Sequence, residues 1–272
     1  MKNALVFKAG PSAYELIRRE GGVDPARIRL MLGASGGPKW LVLARLDRAI
    51  LRQWLARRQR PLDLLGSSIG TWRFACYAQA DPFAAFDRFE ETYLAYRYKK
   101  GDPPATITAD SSANLDRVLG ERGAEEILSG PMRLSAVAVR GRLGLLNTER
   151  RLPLAAGLAA SAVSNLMHRS ALGVFFERAL FHDARSDVDF TDWRDFPTRK
   201  IALTPENLKP LAPFPGCSPQ SPISPGRRRV FTATAGFSII ISITRFSGTT
   251  GKTSFYTRIS FRIPFRAGST SP

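Results

Sequence analysis

The chain has 272 residues, enough to bury one sizeable core or one core with an appendage, and its 44% hydrophobic content is that of a globular protein. A net charge of +17 ordinarily points to nucleic acid or an anionic membrane, but residues 1–210 carry 32 Lys and Arg against all 23 acids, whereas 211–272 carry eight basic residues and no Asp or Glu. Cys76 and Cys217 are too far apart and too unlike in context to suggest a disulfide framework or a metal spacing, so a reducing compartment, the cytoplasm, is expected.

Ala4 to Phe7 reads as a short strand, too short and too soon broken by Lys8 to be the apolar part of a secretory leader. Pro11 to Glu20 reads as a helix ending at Gly21-Gly22, and Ile28 to Leu32 as a second strand. After Gly33-Ala34-Ser35-Gly36-Gly37, Pro38 suits a helix start, because its missing N–H would be unpaired there. That helix, expected to reach about Gln59, aligns Leu43, Leu46, Ile50 and Trp54 on one face. Leu62 to Leu65 is a third strand, followed by a turn and a helix to about Gln79. A further helix from Asp81-Pro82 carries Phe83, Phe86, Phe89 and Tyr93 as a core stripe. Pro103 to Ala109 reads as extended, Leu115 to Leu128 as helix, Met132 to Val139 as strand and Leu152 to Phe176 as helix, with a polar, acidic stretch from Ala179 to Asp192. Leu152 to Met167 falls short of the roughly 20 apolar residues of a membrane span and, rich in Ala, Ser and Gly, reads as a buried helix. Repetition of strand, glycine turn and helix predicts a mainly parallel sheet covered by helices, a three-layer α/β/α fold. From Leu211 the chain is rich in Pro, Ser and Thr and has no convincing pattern, and residues 211–272 are expected to be a disordered basic tail on a 1–210 domain.

Gly66-Ser67-Ser68-Ile69-Gly70 is a G-x-S-x-G match between strand and helix. This is the pattern of a nucleophile elbow, in which a tight turn exposes one serine hydroxyl and makes Ser68 the candidate nucleophile. Gly66 and Gly70 would leave room for the turn and for close packing of strand on helix. A helix N-cap serine after a buried strand is the competing structural reading. The turn Gly36-Gly37-Pro38-Lys39 opens the preceding helix, where unpaired backbone N–H groups and the helix dipole favour an oxyanion or phosphate. It also reads as an ordinary glycine turn, and it lacks the G-K-[ST] ending of a Walker loop.

Together, a glycine turn with a basic residue and then G-x-S-x-G after the next strand resemble the patatin-like phospholipase family, over about residues 1–210 and in its bacterial branch. The resemblance implies a lipid acyl hydrolase acting on a lipid or ester substrate. It further implies that Gly36, Gly37, Lys39 and the residue after the nucleophile, Ile69, form the oxyanion hole, and that no metal or organic cofactor is used. That family pairs its serine with the aspartate of a late D-G-G or D-G-A motif, and no such motif exists here, nor any Asp beyond Asp195. Read as codons shifted by one base, however, Thr232 to Ile239 permit Y-R-D-G-G-I-F-D, and Ile223 to Phe231 permit D-I-P-G-A-P-P-G-V. A change of frame near residue 211 accounts for the missing motif, the missing acids and the unpatterned tail, and it leaves Thr234 where the aspartate would stand. The fold is accordingly expected to be patatin-like but incomplete at the C-terminus, and the chain as written close to inactive.

Two other readings stay open. A Ser-His-Asp hydrolase would need His168 or His182. The second opens a cluster with Asp183, Asp187, Asp189 and Asp192 that reads as a solvated loop more readily than as a metal site. A non-catalytic basic protein would use Arg57-Arg58-Gln59-Arg60 and Arg227-Arg228-Arg229 on an anionic lipid or nucleic acid, although no aromatic interleaving supports strand binding. No specific nucleic acid is expected as partner. Peripheral contact with an anionic membrane, at its inner face, is compatible with the charge.

Overall fold

A computed structural model describes residues 6–96, 104–146, 151–188 and 197–208, with short strands at 230–231, 239–243 and 257–262. Strand β1 (Val6–Ala9) leads to helix α1 (Pro11–Glu20), which Gly21 closes in the left-handed conformation at φ 72°. Strand β2 (Ile28–Gly33) and strand β3 (Leu62–Ser67) flank helix α2 (Trp40–Ala49), and helix α3 (Ile69–Tyr77) follows β3 directly. Helices α4 (Pro82–Ala95), α5 (Pro104–Leu119) and α6 (Gly123–Ser129) precede strand β4 (Met132–Gly141). Helix α7 (Arg151–Met167), helix α8 (Leu172–Phe175), strand β5 (Phe176–His182), strand β6 (Thr198–Ala202) and helix α9 (Pro205–Leu208) come next. Strands β7 (Val230–Phe231), β8 (Ile239–Ile243) and β9 (Thr257–Arg262) lie in the stretch to which composition assigns no structure.

The sheet runs β1-β9-β8-β2-β3-β4-β5-β6, with β7 pairing beside β4. β2–β3, β3–β4 and β5–β6 are parallel, so the five strands β2 to β6 form a mainly parallel sheet with flanking helices, the α/β three-layer fold that the alternating elements predict. Leu62 and Leu64 of β3, Met31 of β2 and Leu134 of β4 pack against Phe74, Tyr77, Phe86 and Phe89 of α3 and α4 in one core. Trp40 stacks on Phe89 with ring centroids 4.0 Å apart. Inside this core Arg73 of α3 makes two hydrogen bonds to the Asp47 carboxylate of α2, at 2.7 and 2.5 Å, and the Tyr77 hydroxyl donates to the same group at 2.9 Å. Burial opposes the Arg73 charge, but Asp47 outweighs it and holds the guanidinium protonated. The helices that follow the two glycine turns are therefore locked to each other.

Several predicted elements differ. Pro103 to Ala109 is not extended: the described part belongs to α5, which starts at Pro104, and Leu115, Val118 and Leu119 bury the same helix against the core. Leu115 to Leu128 is two helices, parted at Gly120 with φ 65°. The helix after Pro38 is shorter, since α2 ends at Ala49 and a π-type turn runs from Ile50 to Trp54. Leu152 to Phe176 is not one helix, because α7 stops at Met167 and β5 starts at Phe176. The start of the polar stretch is a buried strand: Leu180 packs on Leu30 and Leu65, while Glu177 is neutralised across the strand pair by Arg140 at 2.8 Å. Leu152 to Met167 is also not buried: Leu152, Leu166 and Met167 are 84%, 85% and 82% exposed. No helix among the described residues is long and apolar enough to cross a membrane.

Candidate active site

Parallel pairing of β2 and β3 places Gly33 opposite Gly66, so the two glycine turns leave the sheet side by side at one edge. Each runs into a helix whose first N–H groups face that edge. Ser68 occupies the N-cap position of α3 with φ 53° and ψ −128°, and it is the one non-glycine residue with positive φ among those described. Such a backbone is costly for a side chain and is found where a fold over-determines it. As an N-cap, Ser68 makes no capping hydrogen bond with its side chain. The geometry is therefore that of an elbow and not of an ordinary helix cap.

What over-determines the turn is packing. A Cβ on Gly66 would lie 2.4 Å from Thr71 Cα, and one on Gly70 would lie 2.2 Å from the Gly33 carbonyl oxygen. Neither position admits any side chain. Gly33 is equally confined, since a Cβ there would lie 2.7 Å from the Phe74 ring. The end of β2 thus rests on the first turn of α3. The contact continues through Ser35, whose buried hydroxyl donates to the Ser67 carbonyl at 3.2 Å and lies 3.0 Å from the Ser67 hydroxyl. Gly37 stands at φ 53°, and a Cβ there would meet nothing within 4 Å, so the outer side of this turn is open. The first hydrogen bond of that turn is Lys39 N–H to the Gly36 carbonyl, and that of α3 is Thr71 N–H to the Ser68 carbonyl. The N–H groups of Gly36, Gly37 and Ile69 all precede those first bonds. Lys39 is exposed just before α2. The predicted oxyanion donors and Ser68 thus share one edge, where an acyl group attacked by Ser68 would meet backbone N–H groups and two helix N-termini.

No candidate base joins them among the described residues. Of the three buried carboxylates, Asp47 is held by Arg73, and Asp183 by Arg185 at 2.6 Å. The third, Asp63, pairs in register with Leu30 and Arg133, about 16 Å down β3 from Ser68 at ~3.3 Å per residue. Burial raises the Asp63 pKa, opposed by Ser186 and Arg133. His182 ends β5 beside Ala202, with its Nδ1 3.3 Å from the Asp183 carbonyl oxygen. His168 follows the exposed end of α7, its Nδ1 2.6 Å from the Ser170 hydroxyl. Neither histidine is bonded to Ser68. Cys76, the other nucleophile on α3, is fully enclosed, and burial pushes its thiol well above the usual range, which leaves it inert. No group of three or more His, Cys, Asp or Glu among the described residues forms a metal cluster. Asp189, Asp192, Cys217, Arg227 to Arg229 and Thr234 lie outside the described residues. The strands on either side of Thr234 are described: Phe231 pairs with Val139 of β4, and Ile239 pairs with Gly33 of β2. β3, which carries the elbow, runs between those two anchor strands.

Gly33 and Ser35 belong to neither sequence motif, yet both are part of the site's frame. Their signal was the run of small residues from Gly33 to Gly37, which permits backbone to approach backbone. No protein-family model, curated protein or solved structure is found to match the chain.

Proposed function

We propose that the chain carries the nucleophile half of a serine acyl hydrolase of the patatin-like kind, with a lipid ester as substrate. The observation that carries this reading is the backbone of Ser68, held at positive φ between two glycines that admit no Cβ, beside a second glycine turn at the same sheet edge. In the reaction the Ser68 hydroxyl attacks the ester carbonyl, its proton passes to a base, and the carbonyl π electrons move onto oxygen, which the N–H groups of Gly36, Gly37 and Ile69 receive. Collapse expels the alcohol with that proton, and water then releases the acid from the acyl-serine. Lys39 adds positive potential at the oxyanion, and no metal or organic cofactor takes part. The base is the aspartate that a one-base change of frame replaces with Thr234, so the present chain retains little turnover. The proposed location is the cytoplasm, at the inner face of the membrane.

The test is to resequence the gene across codons 205–215 and express the chain in the frame that encodes Asp-Gly-Gly at 234–236. Restoring a general base is expected to raise hydrolysis of a short-chain nitrophenyl ester by about a hundredfold or more, with Ser68→Ala removing the gain. Equal rates in the two frames, or a gain that survives Ser68→Ala, would sink the reading.

A further inference from the structure

Helix α7 buries almost nothing. Of its described residues only Gly157 and Ser161 are buried, and a Cβ on Gly157 would touch Leu146 at 3.0 Å, so the helix leans by that one side on the turn Gly144–Leu146. The opposite side bears Leu152, Ala156, Ala159, Val163 and Leu166, spaced by four, three, four and three residues and all exposed. Leu145 on the turn before α7 and Val174 on α8 are further exposed apolar side chains, at 48% and 58%. No charged residue occurs from Leu152 to Met167. A helix that turns its apolar stripe away from its own core needs another apolar phase to cover it.

Charge selects among the occupants. Residues 142–176 carry Arg142, Arg150, Arg151 and Arg169 against Glu149 alone, and Glu177 just beyond is paired with Arg140. A second copy of this chain would bring two such sets of arginines together, and the tail from 211, with eight basic residues and no acid, offers nothing to complement them. An anionic lipid bilayer supplies both the apolar phase and the negative surface. Position agrees with this. β4 runs parallel to β3 with Val137 beside Ser67, and it continues to Gly141 before the turn that carries α7. The chain that leads to α7 therefore leaves the sheet at the same end of the strands as Ser68.

We infer that α7, with the turn before it and α8 after it, is an interfacial docking surface that seats the protein on an anionic phospholipid bilayer with Ser68 directed to that interface. Its purpose rests on the proposed acyl hydrolase reading, while its binding does not require turnover. The experiment is flotation of the full chain with vesicles of phosphatidylcholine alone and of phosphatidylcholine mixed with phosphatidylglycerol. The chain is expected to float with the mixed vesicles and hardly with the neutral ones. Val163→Glu/Leu166→Glu should cut the bound fraction about tenfold or more, with thermal unfolding unchanged because both residues are exposed. Undiminished flotation of that double variant, or no flotation of the parent chain, overturns the inference. So does a dimer that the same substitutions dissociate in the absence of any vesicle binding. Fluorophosphonate labelling of Ser68 runs alongside, on the chain expressed in the frame that encodes Asp-Gly-Gly at 234–236: labelling without flotation removes the docking surface alone, and flotation without labelling removes the catalytic reading alone.

Discussion

The two glycine turns at the sheet edge are held by opposite means. The turn after β3 is fixed by exclusion: Gly66 and Gly70 are so enclosed by Thr71, Gly33 and Ala34 that its path has no alternative. The turn after β2 is fixed by dihedral angle and one side-chain tie, with Gly37 at φ 53° in open space and Ser35 hydrogen-bonded to Ser67. On the proposed acyl hydrolase reading, a nucleophile must be placed within a fraction of an ångström, whereas oxyanion donors must be placed and also left uncovered. Close packing serves the first need and would defeat the second.

This difference makes unequal predictions for the same substitution. Gly70→Ala is the harshest, because the new methyl would sit 2.2 Å from a backbone oxygen in an element that cannot move without parting β2 from α3. A cost of about 3 kcal/mol or more is expected, read as a collapse of the urea midpoint or failure to recover folded protein. An unfolding midpoint close to that of the parent would mean that the elbow is not set by packing.

The elbow was legible in the sequence because its motif encodes a local requirement: two residues without Cβ around a strained serine, after an apolar run and before a helix. The parallel sheet was legible for a related reason, since strand, glycine turn and helix recur with little between them. What could not be read depended on distant partners. β5 was hidden because Glu177 and Arg178 interrupt its apolar pattern, and only pairing with β4 brings Arg140 opposite Glu177. Thr106, Ile107 and Thr108 favour an extended chain, yet Leu115, Val118 and Leu119 further along the same helix bury it in the core. Leu152 to Met167 looked buried because composition reports what a helix can bury and not whether the fold supplies a surface to bury it. Ser35 was missed because a serine in a glycine run carries no signal until Ser67 comes within reach.

Gly37→Ala tests the looser turn. Its new methyl meets nothing within 4 Å, so the cost comes from the left-handed backbone alone. About 1 to 2 kcal/mol is expected by urea unfolding, clearly less than at Gly70. Loss as large as that of Gly70→Ala would show this turn to be packed as tightly as the elbow, and the contrast between them would fail.

Ser68→Gly has the smallest expected effect and the opposite sign. Ser68 holds φ 53° without a capping hydrogen bond to compensate it, so glycine relieves the strain of a side chain in that region. Glycine also loosens the unfolded chain, which opposes the gain by roughly 0.5 to 1 kcal/mol. Since the strain relieved is of order 1 to 3 kcal/mol, a net stabilisation of about 1 kcal/mol should appear as a higher urea midpoint. A midpoint below the parent's would mean that the serine hydroxyl is stabilising its own turn. In that case the position would be a structural cap, and the strain at Ser68 would no longer argue for a nucleophile.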